Sequence, residues 1–166
     1  EEFYIEFKNV LIPFQNPQKY GRSILENSSF LVSSAFANQN LHGNGFVARL
    51  SGSTAEFLHI WLIMNAGINP FTLDNNGQLN LEFKPNLAGW LFAKNGKYSF
   101  NFLSLIQVTY HNPRRKNTFG KDAATINKIV IQIKDNPVEF NSSIIPSPYA
   151  QAIRSRQIKQ IDIYLD

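Results

Sequence analysis

The chain has 166 residues, 16 basic against 12 acidic side chains for a net charge of +4, and no cysteine. A disulfide framework and a thiolate metal site are therefore excluded, and the longest apolar run, within Phe57 to Met64, is far too short to cross a bilayer. An apolar fraction of 43% with 14 phenylalanines supplies material for a core, and no window combines low hydrophobicity with high charge. The first residue is Glu1 and not a methionine, which leads to the expectation of a longer protein of which this is the later part.

Along the chain, Phe3, Phe7, Val10 and Leu11 recur at helical spacing, so residues 1–10 read as the end of a helix that Pro13 stops. Asn16-Pro17 opens a turn. Residues 23–37 read as a second helix with Leu25, Phe30, Leu31 and Ala35 inside, although Ser28, Ser29, Ser33 and Ser34 lower its propensity. Asn38 to Gly45 is a loop. Ser53-Thr54-Ala55-Glu56 has the capping-box pattern, followed by an apolar face of Phe57, Leu58, Trp61 and Leu62, with Gly67 placed as the C-terminal cap and Pro70 beyond.

After Pro70 the period changes from helical to alternating. Leu79-Leu81-Phe83, Tyr98-Phe100-Phe102, Ile106-Val108-Tyr110, Ile129-Ile131-Ile133 and Ile161-Ile163-Leu165 each skip one residue, the mark of strands with one buried face. Asn75-Asn76-Gly77, Asn95-Gly96 and Asp135-Asn136-Pro137 are turn signals, and Pro146-Ser147-Pro148 precedes one helical turn from Tyr149 to Arg154. Short antiparallel strands in this number point to a sandwich. The fold expected is α plus β, with residues 1–67 helical and residues 68–166 an antiparallel β-sandwich.

Ser51-Gly52-Ser53, with Thr54 next, places hydroxyls and a glycine at a helix start. The first amides of a helix lack intrahelical acceptors and the dipole there is positive, so an anion can bind at that end; plain capping explains the same residues. His42 in Leu41-His42-Gly43 is a candidate site residue. His59 reads as a packing or surface residue and His111 as a turn residue. No histidine pair has metal-ligand spacing, so no metal is expected. The carboxylates offer no acid/base pair of the kind a glycosidase needs, so no catalytic residue is assigned. Arg114-Arg115-Lys116 reads as a solvated loop. The alternative, an anion or nucleic-acid patch, has too few charges for strong phosphodiester binding, and no nucleic-acid partner is expected.

In order, Asn16-Pro17-Gln18-Lys19-Tyr20, Leu41-His42-Gly43, Leu50-Ser51-Gly52-Ser53-Thr54-Ala55, the helix with Trp61, Gly67-Ile68-Asn69-Pro70 and Leu79-Asn80-Leu81 resemble the tail of the inverting glycoside phosphorylases of glycoside hydrolase family 94. The resemblance implies the last helices of an (α/α)6 barrel followed by a C-terminal β domain. It implies phosphorolysis of β-glucosides to an α-glycosyl 1-phosphate, with inorganic phosphate as co-substrate and no other cofactor. Ser51, Gly52 and Ser53 fall where the family holds phosphate. The catalytic Asp of the family lies earlier than any residue here. Val32 and Ser33 stand near a glutamine that cellobiose-type members use to hold sugar, so Ser33, with His42, is a candidate substrate-binding residue. The implied partners are a β-linked oligosaccharide and phosphate, and the implied compartment is the cytoplasm, with no membrane. The exposed face of Trp61 implies association, a homodimer being one form of it. Two other readings share the sequence: a non-catalytic sugar-binding or structural β module, for which Trp90 is the discriminating aromatic, and a hydrolase on the same barrel.

Overall fold

A computed structural model describes residues 2–11, 28–48, 51–133 and 136–166. The chain divides into two compact units, Glu1–Ile60 and Trp61–Asp166. The fold is α plus β, with mostly antiparallel strands and few helices.

In the first unit, helix α1 (Glu2–Leu11) forms where the helical spacing predicts. The expected helix over residues 23–37 does not form in its described part. Ser28–Leu31 is strand β1, paired antiparallel with β2 (Gly45–Ala48) in the register Phe30↔Phe46 and Leu31↔Gly45. Serine competes for its own backbone and weakens a helix, whereas Gly-Phe-Val-Ala downstream offers a strand partner. The connection holds a single 3₁₀ turn, Gln39–Leu41, and closes through Val32 N–H to Asn44 O (3.1 Å) and Gly43 N–H to Val32 O (2.8 Å). Gly43 sits at φ 81°, a conformation glycine adopts without penalty. The predicted turn at Asn16-Pro17 lies outside the described residues. Helix α2 (Ser51–Asn65) begins in this unit and ends in the second.

The second unit contains two sheets. Strands β3 (Phe71–Leu73), β4 (Leu79–Glu82) and β9 (Ile144–Ile145) form one, in that order. Strands β5 (Lys97–Phe102), β6 (Ile106–His111), β7 (Ile126–Ile133), β8 (Asn136–Phe140) and β10 (Gln160–Leu165) form the other, in the order β5-β6-β10-β7-β8. The last strand is thus central, parallel to β6 and antiparallel to β7. Helix α3 (Tyr149–Arg154) leads into it. Asn136-Pro137, expected in a turn, instead opens β8. A proline is tolerated there because β8 is an edge strand. No described helix is long and apolar enough to cross a membrane.

The alternating residues share one buried face. Phe100, Phe102, Ile106, Val108, Tyr110, Ile129, Ile131, Ile161 and Ile163 are all buried. The two sheets meet through aromatic rings: Phe71 stacks on Phe102 at 5.9 Å, Phe83 lies 5.7 Å from Phe102, and Phe83 meets Tyr110 edge-on at 6.5 Å. Each such ring excludes water from about 150–250 Å² of surface, and oblique or edge-on geometries suit the ring quadrupoles.

The end of α2 is tied to this core. Gly67, at φ 101°, donates to Leu62 O and Ile63 O. Asn86 N–H donates to Met64 O (2.8 Å), Lys84 N–H to Ala66 O (3.0 Å) and the Tyr110 hydroxyl to Asn65 O (2.6 Å). The last carbonyls of a helix have no partner within it, so these bonds satisfy groups whose burial would otherwise be costly. Burial pushes the Tyr110 phenol well up from its ordinary value, and the nearby Tyr98 adds to the shift.

Tyr110→Phe leaves the Asn65 carbonyl without its donor and lowers stability by about 1–3 kcal/mol in chemical denaturation; an unchanged midpoint excludes the bond as a support of the helix end. Ionisation of Tyr110 is linked to unfolding. Its contribution is fully present below pH ~10 and is lost as pH rises from the ordinary tyrosine value through the raised one. An absorbance titration therefore shows one tyrosine ionising only as the fold is lost.

Candidate functional site

The residues singled out by sequence fall in the first unit. Ser51, Gly52 and Ser53 form the first turn of α2. Ser53 is therefore inside the helix and not at its start, two positions beyond the first helical residue. Four small residues in a row permit the helix to start two positions earlier than the box implies. The first-turn amides of this fifteen-residue helix have no intrahelical acceptor.

Ser33 and His42 both lie in the β1–β2 connection. The Ser33 hydroxyl accepts from Ala35 N–H at 3.3 Å, and its neighbour Ser34 donates to the Glu6 carboxylate at 2.5 and 2.6 Å. His42 follows the 3₁₀ turn, its amide bonded to Gln39 O. Its Nε2 donates to Phe36 O at 2.7 Å, since a carbonyl oxygen only accepts. The loop thus fixes His42 from both its backbone and its ring. On α2, Glu56 and His59 are exposed.

A connected group of polar side chains lies elsewhere, on the outer face of the five-stranded sheet. His111, expected in a turn, is the last residue of β6. Its Nε2 is 2.7 Å from Asp162 Oδ1, and both side chains are largely buried. Gln160 Nε2 donates to the other carboxylate oxygen at 2.8 Å. The imidazole stacks on Tyr164 at 4.5 Å and 10°, and Lys128 Nζ sits 4.9 Å over the same tyrosine ring. Lys128 also pairs with Glu139 at 3.6 Å, and Ser99 with Thr109 at 2.9 Å. The pairing explains this order: Thr109 faces Asp162, His111 faces Tyr164, and Lys128 faces Tyr164 from the other side.

Chemically, Asp162 holds His111 in place as an acceptor holds an imidazole, and the Tyr164 ring is covered by the stacked imidazole and by the Lys128 ammonium. No group of three metal-ligating side chains occurs among the described residues. A cleft of about 530 Å³ lies beside β3, lined by Leu73, Gln78, Leu79, Pro148, Gln151 and Arg154 among others. Arg154 lies 5.7 Å over the Phe71 ring there, and Ser147 closes the floor by donating to Leu79 O at 2.9 Å. Trp90, the aromatic singled out by sequence, sits in a 3₁₀ turn (Gly89–Leu91) and is 36% exposed.

Comparison with known protein families, curated proteins and solved structures returns no match.

A double-mutant cycle over His111→Gln and Asp162→Asn gives a coupling of about 1 kcal/mol in thermal or chemical unfolding. Additivity of the two substitutions shows instead that the contact does not organise the sheet face.

Proposed function

We propose that this chain is the C-terminal segment of a carbohydrate-active enzyme that phosphorolyses β-glucosides to an α-glycosyl 1-phosphate. The last helices of its (α/α)6 barrel are followed by a β-sandwich domain. The observation that carries the reading is the first turn of α2, where Ser51, Gly52 and Ser53 stand beside amides with no intrahelical acceptor. A phosphate dianion gains there from the dipole and from N–H donors, while Gly52 leaves room for close approach. The β-rich second unit after a helical end is the order that the family resemblance implies.

In the reaction, a phosphate oxygen forms the new bond to the anomeric carbon as the glycosidic C–O bond breaks. The proton for the departing oxygen comes from a general acid outside the residues of this chain. Residues of this segment hold the nucleophile; Ser33 and His42 lie in the β1–β2 connection and are the proposed sugar contacts. The co-substrate is inorganic phosphate, the partner a β-linked oligosaccharide, and the compartment the cytoplasm. Self-association into a homodimer would cover the exposed Trp61 face.

A second reading, a non-catalytic sugar-binding module in residues 70–166, is favoured by the outer-face group of His111, Tyr164, Lys128 and Asp162, whose hydrogen-bonding groups suit sugar hydroxyls.

In the protein that carries this segment, Ser51→Ala raises the phosphate concentration needed for half-maximal sugar release about tenfold, the loss of one hydrogen bond to a charged group. Release that is equal with and without phosphate identifies a hydrolase and removes the phosphorylase reading. Oligosaccharide binding that survives Ser51→Ala and is lost on Tyr164→Ala favours the module.

A further inference from the structure

Strand β3 is an open edge of the three-stranded sheet. Its bonds to β4 run through Pro70, Thr72 and Asp74. Glu82 N–H donates to Pro70 O (2.8 Å), Thr72 stands opposite Asn80, and Asp74 N–H donates to Gln78 O (2.9 Å). In an antiparallel pair only every second residue exchanges bonds with its partner. Phe71 and Leu73, the residues between, therefore turn their N–H and C=O groups to the open side, where no described residue meets them. An unpaired edge is a template for a further strand, and proteins commonly guard it with a charge or a proline. The five-stranded sheet does so: β5 begins on Lys97, and β8 carries Pro137 and Glu139. Within itself, Phe71-Thr72-Leu73 carries neither.

The face beside this edge is shaped as well. Phe71 and Leu73 lie on one side of β3, the side that α3 crosses. The helix brings Arg154 to 5.7 Å over the Phe71 ring and leaves Leu73 68% exposed. The space left there is the cleft of about 530 Å³, floored by Leu73 and Leu79 and walled by Pro148, Gln151 and Arg154. Arg154 is the one charged side chain among the described residues that line it, and it makes no hydrogen bond or ion pair with a described residue. The two acids of the β3–β4 hairpin are engaged elsewhere. Asp74 Oδ1 accepts from Asn76 N–H and Gln78 N–H at 2.8 Å each, and Glu82 pairs with Lys84 at 2.8 Å. A guanidinium without a counterion beside an apolar hollow selects a ligand that is apolar at one point and acidic at the next.

We propose that the edge of β3 takes up an extended peptide segment of another protein as an antiparallel fourth strand, with an apolar side chain seated against Leu73 and an acidic side chain, two residues later, facing Arg154. The backbone bonds hold the strand and the two side chains select it. Their order follows from the direction of the strand. A segment antiparallel to β3 meets Leu73 before Phe71, and residues directly opposite one another share a face. A second copy of β3 is a poorer occupant. Paired about Thr72, it would set a leucine and not an acid beside Arg154. The inference stands apart from the role given to Ser51–Ser53.

The test is titration of the chain Glu1–Asp166 with the peptide acetyl-Thr-Leu-Thr-Glu-Thr-amide, read by calorimetry and by the NMR signals of the Phe71 and Leu73 amides. The expected result is that the peptide moves both amide signals. The same peptide with glutamine in place of glutamate binds about threefold more weakly, the size of one exposed ion pair. Arg154→Ala removes the difference between the two. A peptide N-methylated at its leucine and glutamate, which cannot donate to Leu73 O and Phe71 O, does not bind. Unmoved Phe71 and Leu73 signals, equal affinity for the glutamate and glutamine peptides, or binding of the N-methylated peptide would each overturn the proposal. So would sedimentation that shows a dimer separated by Leu73→Lys, which makes the edge an interface between copies of this chain. The peptide comparisons use the unaltered chain and hold even where a variant does not fold.

Discussion

The second unit depends on how the end of helix α2 is finished. A helix terminus brings carbonyls with no internal partner, and in an apolar core each would cost a few kcal/mol. Here the carbonyls from Leu62 to Ala66 accept bonds from Ala66, Gly67, Asn86, Tyr110 and Lys84. Asn65, itself fully buried, donates from its side chain back to Trp61 O at 2.8 Å. Polar satisfaction thus fixes the place of the helix end relative to β6 and to the segment leading from β4. Apolar packing alone is non-directional and would not do so. Trp61, edge-on to Phe100 at 5.4 Å, adds area to a position already set by hydrogen bonds.

The same anchoring orders the sheet. Tyr110 reaches Asn65 from the inner face of β6, so the next residue, His111, points outward. With β10 beside β6 in parallel, Asp162 and Tyr164 stand on that outer face as well. The His111–Asp162–Tyr164 group is therefore a consequence of the core register. A slip of one residue would bury the polar group and expose the isoleucines of β10.

Strands β4, β5, β6, β7 and β10 were legible because each buries one face and writes that fact as alternation, as in Ile161-Ile163-Leu165, whereas β8 opens on Asn136-Pro137 and reads as a turn. So was the end of α2, where Gly67 supplies the positive φ. Strands β3 and β9 were not legible, since three and two residues are too few to show a period. The β1–β2 hairpin was missed because Leu25, Phe30, Leu31 and Ala35 fit a helical period. The competing partner, Gly45–Ala48, is recognisable only through pairing. His111 was misread for a related reason. Its neighbours in β6 gave its face, but Asp162 is 51 residues away, and a parallel pairing of the last strand with β6 leaves no local mark. Ser51–Ser53 was legible as a helix start to within two positions, the usual play of a terminus among small polar residues.

Asn65 and Asn112, the two fully buried asparagines among the described residues, solve one problem in two places. Each amide bonds the backbone of its own segment, four residues away: Asn65 donates to Trp61 O within the helix, and Asn112 both accepts from and donates to Lys116 across a turn. A side chain shorter by one methylene cycle of freedom than glutamine loses less rotamer entropy in doing this. At Asn65 the result is a helix end held against the sheet. At Asn112 it is a turn in which Arg115 stays left-handed and Gly96 packs so closely that a Cβ would lie 2.7 Å from Asn112 O. Both carry rigidity from the core to the surface, one to α2 and one to the basic loop.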